Sequence, residues 1–554
     1  MRYNTGNPVG PDGSSSPFDL HDNAGNLDLA MNSGATEWID RTGEQRPTMV
    51  GLEQRLDEVI AGSADSVLRS STSSVPIGSW SESALSVDVD DGGKVVGGND
   101  VVESHEDRLQ YVESAAKKDV YPISSWPEIS MDVIIDDANQ MAGGCDVLES
   151  HEARIQSLES GAGAGGIVLG VIGQGQSNAR GAGGLPLEAM TLTPWYPDHA
   201  LMPAGPGMNV AVGTQPGATY DPIVPENFSG FQPLKSMQLS SSNGTTFLEG
   251  LAFSQALLHA RKGKLTQTLY WTTAKGGVSL ADRSPGTTPY QNTLTAIHRS
   301  VEIAEGLGKN YEVSAISAVE GEADTSNSTY ASDLHQVYAV DLTGDIKSIT
   351  GQKYDPFIIM TQPSSFFSSV DGVEGIYQVC KNSGRFFLAC PGYHLEYGSD
   401  LLHYTAKSHA KLGEYIGKAL ESLMESGSWK PLSPCQIIYD GTNGVEVYFH
   451  VPRPPLVLDA FAPNHGDFGF EVYSGGNKQV VTSVQISSPC SIKIKTQSNL
   501  GAVRLLKYAM RGYQSSPRTL GDGPMGSLRD SDTTPSFVDG QPLQNWCVHF
   551  SEQF

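Results

Sequence analysis

The chain has 554 residues, with 36 lysines and arginines against 62 aspartates and glutamates and a formal charge of −26. That length exceeds what a single core fills and points to about three or four domains. A surface this negative repels phosphate backbones, which argues against nucleic acid as a partner, and no apolar run approaches the roughly 20 residues of a membrane span.

The first residues have neither a basic start nor an apolar stretch, so no secretory signal is expected. Residues 1–70 form one segment and residues 71–164 a second, both rich in Gly, Ser, Asp and Asn. The second is a duplication. The stretch from Pro76 recurs from Pro122 at an offset of 46 residues, pairing Trp80 with Trp126, Asp90 with Asp136 and His105 with His151. Each copy ends in an apolar seam spaced 3, 4, 3: Val102, His105, Leu109, Val112 and then Leu148, His151, Ile155, Leu158. Met49, Leu52, Leu56 and Val59 repeat the spacing. Helices below about 12–15 residues are marginal alone in water, so such seams imply several chains side by side, or a helix lying on its own domain. The sparse apolar content around them favours assembly. The two histidines at seam positions read as register-setting residues.

From residue 165 to 425 strands alternate with helices. "GIVLGVIGQ", "LTQTLYWTTA", "YEVSAISAVE", "YDPFIIMTQ" and "RFFLAC" read as strands, several apolar enough to be buried on both faces. "EGLAFSQALLHARK", "YQNTLTAIHRSVEIAEGLG" and "AKSHAKLGEYIGKALESLM" read as helices. The expectation is a doubly wound parallel α/β/α sheet. Residues 426–554 revert to short strands with Gly, Pro and Asn turns, as in a β-sandwich-like domain. The six cysteines, at 145, 380, 390, 435, 490 and 547, show no CxxC spacing, so neither a zinc site nor a disulfide framework is expected.

In an open α/β sheet ligands bind at the carboxyl ends of the strands, where this sequence sets four polar clusters. They are "GQSN" with Ser177 and Asn178, "KGG" with Gly276 and Gly277, "EGEAD" with Glu320, Glu322 and Asp324, and "DLLH" with Asp400 and His403. Each alone is an ordinary turn or a solvated strand end; together they supply acyl transfer. Serine needs a base to take its proton, histidine is the usual base, and a carboxylate orients the imidazole. Asp400 and His403, three residues apart before a helix, fit that pairing. The backbone N–H groups of Ser177 and of Gly276 or Gly277 would face an oxyanion, with Asn178 bracing the loop. Gly175-Gln176-Ser177-Asn178-Ala179 is not the GxSxG elbow, which sets the chain apart from ordinary α/β-hydrolases. Chemistry of this kind needs no metal or cofactor.

"GQSNARG", "AKGGVSL", "EGEAD" and "DLLHYTAKSHAKLGEYIGKAL" resemble the motif blocks of SGNH hydrolases, in the branch of sialate O-acetylesterase-like carbohydrate esterases. The resemblance implies Ser177 as nucleophile, Asp400 and His403 as the rest of the triad, and Gly276 and Gly277 near the oxyanion. Glu322 and Asp324 would support the site. Glu320 departs from the pattern, which has glutamine there, so a third oxyanion donor is not supplied by this position. A second resemblance joins "YNTGNPVGPDGSSSPFDLHDNAGNLDLAMN" and "WIDRTGEQRPTMVGLEQRL" to the virion-attachment segments of bacteriophage tail fibres and tailspikes. It implies a homotrimer made in the host cytoplasm and carried on the virion tail. Its N-terminus would join the tail, its baseplate or another tailspike, and the protein would act at the bacterial cell surface without inserting into the membrane. The substrate would be a bacterial surface polysaccharide, O-antigen or capsule, from which acetyl groups are removed. The alternatives are a receptor-binding fibre without turnover and a depolymerase of glycosidic bonds.

Overall fold

The structure, a computed structural model, describes residues 166–212, 222–263, 266–461, 467–519 and 521–554, together with the backbone of six short strands nearer the N-terminus. Those six are β1 (Glu37–Ile39), β2 (Gln45–Pro47), β3 (Asp88–Val89), β4 (Val95–Val96), β5 (Ile134–Ile135) and β6 (Met141–Ala142). They pair as three antiparallel hairpins, and β3–β4 and β5–β6 occupy equivalent positions of the two sequence repeats. The heptad-like seams, and the assembly and attachment expectations tied to them, lie outside the described residues.

Residues 166–426 are built on one seven-stranded sheet. Its strands are β7 (Ile167–Gly175), β8 (Ala200–Ala204), β9 (Gly230–Pro233), β10 (Gln267–Thr272), β11 (Asn310–Val319), β12 (Phe357–Gln362) and β13 (Phe386–Pro391), in the spatial order β13-β12-β11-β7-β10-β8-β9. Every pairing is parallel except β8 with β9. The sheet is therefore mixed, where the sequence reading expected parallel strands only. β8 and β9 escaped that reading because "ALMPA" and "GFQP" are short and interrupted by proline, so neither carries a strand-like apolar period.

The first strand, β7, sits in the middle, and the connection from β10 to β11 carries the chain from one of its flanks to the other. That reversal opens a crevice beyond the carboxyl end of β7. Side chains leave a strand alternately on its two faces, so the sheet feeds two cores. Val168, Ile172, Trp271, Ile316 and Met360 belong to one buried cluster, and Val171, Tyr270, Ala315 and Ile359 to the other.

The second cluster is closed by helices α1 (Phe247–Arg261) and α6 (Ala406–Ser426). The first is closed by α2 (Thr288–Gly306), α3 (Tyr330–Leu334), α4 (Thr343–Thr350) and α5 (Asp371–Asn382), with a π-helical stretch, His335–Leu342, joining α3 to α4. Helix α1 starts with a capping box in which Thr246 and Glu249 satisfy each other's backbone N–H groups. It crosses α6 at close range: a methyl at Gly250 would run into the Ala410 carbonyl, and one at Gly413 into the Phe247 carbonyl.

After α6 come two four-stranded antiparallel sheets. One has β14 (Ser433–Tyr439), β15 (Gly444–His450), β20 (Ser491–Thr496) and β19 (Val481–Ser488) in that spatial order. The other has β18 (Asn477–Lys478), β17 (Phe470–Ser474), β21 (Arg504–Tyr508) and β23 (Phe550–Gln553). Their inward residues, among them Val445, Ile494, Phe470 and Phe550, continue the first buried cluster. The segment that follows β22 (Leu528–Arg529) returns to α6. Lys418 on that helix donates to Asp532 (2.7 Å), the Leu543 carbonyl (2.7 Å) and Asn545 (3.0 Å), and Glu414 accepts from Ser536 and the Phe537 N–H.

Candidate active site

The chain leaves β7 through Gly175, whose φ of +129° is open to glycine and whose missing side chain leaves room for the Val319 carbonyl. The turn that follows presents a half-buried Ser177 between the buried Gln176 and Asn178. A Cβ on Gly276 would stand 3.7 Å from that of Ser177, so the loop after β10 lies directly against the serine. Gly277 adopts a positive φ of +71° with nothing within 4 Å of its missing side chain. Ser177 and Gly276 line a cleft of about 740 Å³ together with Arg180 and residues 238–243.

Asp400 and His403 share a tight turn before α6. The His403 Nδ1 lies 2.6 Å from Asp400 Oδ2, while Asp400 Oδ1 accepts the N–H groups of Leu402 (2.9 Å) and His403 (3.0 Å). Leu401 pays for this geometry with a φ of +49°, a left-handed conformation rare for leucine. Partial burial presses the Asp400 carboxyl upward, but the two N–H groups and the imidazole outweigh it and hold it below the ordinary carboxylate range. Asp400 is therefore held as an anion against the imidazole Nδ1.

Asn178 joins the serine to this turn. Its Nδ2 donates to Glu322 Oε1 (2.7 Å) and to the Leu402 carbonyl (3.2 Å), and its Oδ1 accepts the Tyr404 N–H (3.2 Å). The residue beside Ser177 thus grips the residues on both sides of His403. Both amide hydrogens are spent on this grip.

The other carboxylates of "EGEAD" are also committed. Asp324 accepts the Leu280 N–H at 3.3 and 3.1 Å, and burial, reinforced by the charge on Glu320, pushes its carboxyl up to about 6. Burial also raises the Glu322 carboxyl, against the opposing bond from Asn178. Glu320 is ion-paired with Arg283, both side chains being almost wholly buried. Sequence reasoning assigned nothing to Arg283, Arg180 or residues 238–243. A lone arginine and a serine-rich run have no periodicity or spacing that ties them to a site. Among the described residues no group of His, Cys, Asp or Glu is arranged to hold a metal ion.

Residues 171–422 match the family described as SASA, carbohydrate esterase, sialic acid-specific acetylesterase. Among solved structures, a carbohydrate acetylesterase from Xanthomonas citri is similar at 12% identity and a TM-score of 0.43, covering 69% of this chain and 80% of its own. A protein from Arabidopsis thaliana shares 16% identity with a TM-score of 0.34 (46% and 98% covered), and the carbohydrate acetylesterase Est24 from Sinorhizobium meliloti shares 14% with 0.25 (46% and 99%). No curated protein matches the chain. The family match falls on the region that carries all four polar clusters. The matched region, a little under half of the chain, is similar to that carbohydrate-esterase family, in line with a serine esterase of the SGNH type.

Proposed function

We propose that the chain removes acetyl groups from a bacterial surface polysaccharide by a Ser-His-Asp mechanism, as the enzymatic part of a bacteriophage tailspike. The observation that carries the mechanism is the Asp400–His403 pair tied through Asn178 to the residue beside Ser177. In the first step His403 takes the Ser177 hydroxyl proton as the oxygen attacks the acetyl carbonyl carbon. The tetrahedral oxyanion is met by the N–H groups of Ser177 and Gly276. Collapse expels the sugar oxygen, which receives the proton from His403 and leaves a free hydroxyl and an acetyl-serine. Water, deprotonated by His403, then releases acetate and restores the serine.

The cleft suits a glycan: five of the residues that line it beside Ser177 are Gln238, Ser240, Ser241, Ser242 and Asn243, which offer hydroxyl and amide partners to sugar hydroxyls. Cleavage of glycosidic bonds would need two carboxylates facing the substrate, and Glu322 and Asp324 are already bound to Asn178 and Leu280. The phage setting, the trimer and the O-antigen or capsule target are supported by the N-terminal resemblance and the heptad-like seams.

The test is acetate release from purified surface polysaccharide by the wild type and by Ser177→Ala. Acetate that disappears in the variant, with chain length unchanged, supports the reading. Polysaccharide that binds without yielding acetate, while a simple acetyl ester is also left intact, would make the protein a receptor-binding fibre; shortened chains would make it a depolymerase.

A further inference from the structure

We propose that the buried Arg283–Glu320 ion pair is a positioning device that sets the Gly276 backbone against Ser177. The inference rests on the proposed role of the Gly276 N–H as an oxyanion donor. The loop after β10 is fastened at two ends. Near its start the Lys275 N–H donates to the Gly175 carbonyl (3.3 Å), at the end of β7. At its far end a short 3₁₀ turn, Ala281–Arg283, aims the arginine inward. There one arm of the guanidinium meets Glu320 and the other donates to the Tyr338 hydroxyl (3.1 Å). Asp324 takes the Leu280 N–H beside it.

Glu320 and Asp324 belong to the turn that ends β11, and β11 is the paired neighbour of β7, with Val319 opposite Gly175. The two anchors therefore stand at the ends of adjacent strands, and the loop that runs between them carries Gly276 against Ser177. A buried ion pair is weak as a source of stability, because desolvation consumes most of the Coulomb attraction. A planar guanidinium divided between two fixed acceptors is strong as a source of direction. Glu320, the position that departs from the resemblance, thus has a counter-ion supplied by the loop it would hold. Glu322 serves the opposite side of the site, through Asn178 and the His403 turn. The carboxylates at 320 and 324 serve the oxyanion side and the one at 322 the proton-transfer side.

The two sides separate in kinetics. The double variant Arg283→Met/Glu320→Gln removes both charges, and Arg283→Lys keeps the charge while losing the fork. Each is assayed on 4-nitrophenyl acetate, with active sites counted by an organophosphonate and folding followed by thermal melting. Losing a whole oxyanion donor costs roughly 10²–10³ in kcat, and a displaced one should cost about tenfold or more. The expected result is that loss per titrated site in both variants, with KM and the midpoint of the pH–kcat profile unchanged. A merely structural pair would lower the number of active sites and leave kcat per site intact, which overturns the proposal. If the double variant does not fold, Arg283→Lys gives the same reading by itself. Gly276→Pro removes the N–H directly. Unchanged kcat there would sink the oxyanion role of Gly276, whereas a loss there beside silent Arg283 variants would sink only the positioning role.

Discussion

At the scale of single residues, Asn178 is the joint on which the proposed chemistry turns. In that proposal it neither attacks nor transfers a proton; by holding the Leu402 carbonyl and the Tyr404 N–H it ties the residues on either side of His403 to the neighbour of Ser177. Replacing it with alanine frees the His403 turn from Ser177 and strips the half-buried Glu322 of its donor. A misplacement of about 1 Å can cost on the order of 10²-fold in rate, and an orphaned buried acceptor costs about 1–3 kcal/mol. Asn178→Ala is therefore expected to lose about two orders of magnitude in kcat and a few degrees in Tm, read by ester hydrolysis and calorimetry. Retention of full kcat would show that the turn is held some other way. Asp400 and His403 were legible as a pair because a spacing of three before a helix brings a carboxylate back to an imidazole. The partners of Asn178, Glu322 and Arg283 were not, since each lies dozens of residues or more away and no local pattern announces it.

At the scale of elements, the crossing of α1 and α6 sets where the His403 turn ends, because Thr405, two residues on, caps α6. The contact between Gly413 and the Phe247 carbonyl fixes the helix separation. Alanine is about 1 kcal/mol better than glycine inside a helix, so an exposed Gly413→Ala would stabilise. Here the new methyl meets backbone that cannot swing aside, and overpacking of about 1–3 kcal/mol reverses the sign. The expected outcome is a lower urea midpoint with an unchanged slope; a raised midpoint would mean that the helices can separate freely. The strands that were read from sequence are the long apolar ones. Helix α5 was missed because "DGVEGIYQVCKN" has two glycines and a short apolar face, and the π-helical stretch because its register slips out of the 3.6-residue period.

At the scale of the whole molecule, two buried carboxyls make stability depend on pH. Burial raises Glu249, at the start of α1, to about 7, and Glu414, under the returning segment, also to about 7, from an ordinary value of 4.5. In both, the folded state holds its proton more tightly than the unfolded chain does. Their contribution is complete below the ordinary value and is lost as pH rises through about 7. Tm is expected to decline between these limits, and Glu249→Gln and Glu414→Gln should each flatten the decline; an unchanged slope in both would contradict it. Composition marked the change of texture near residue 425, but it carries no sign that residues 532–545 come back to α6, since the ion pairs and hydrogen bonds involved join residues more than a hundred positions apart. That return has a consequence for biosynthesis. The ribosome releases Ser177, Asp400 and His403 well before the segment that fastens α6. At about 5–20 residues per second, the roughly 130 residues from His403 to Asp530 take on the order of ten seconds to make. A nascent chain thus holds every group of the proposed triad before it holds the brace, and activity should appear only once that segment has left the tunnel.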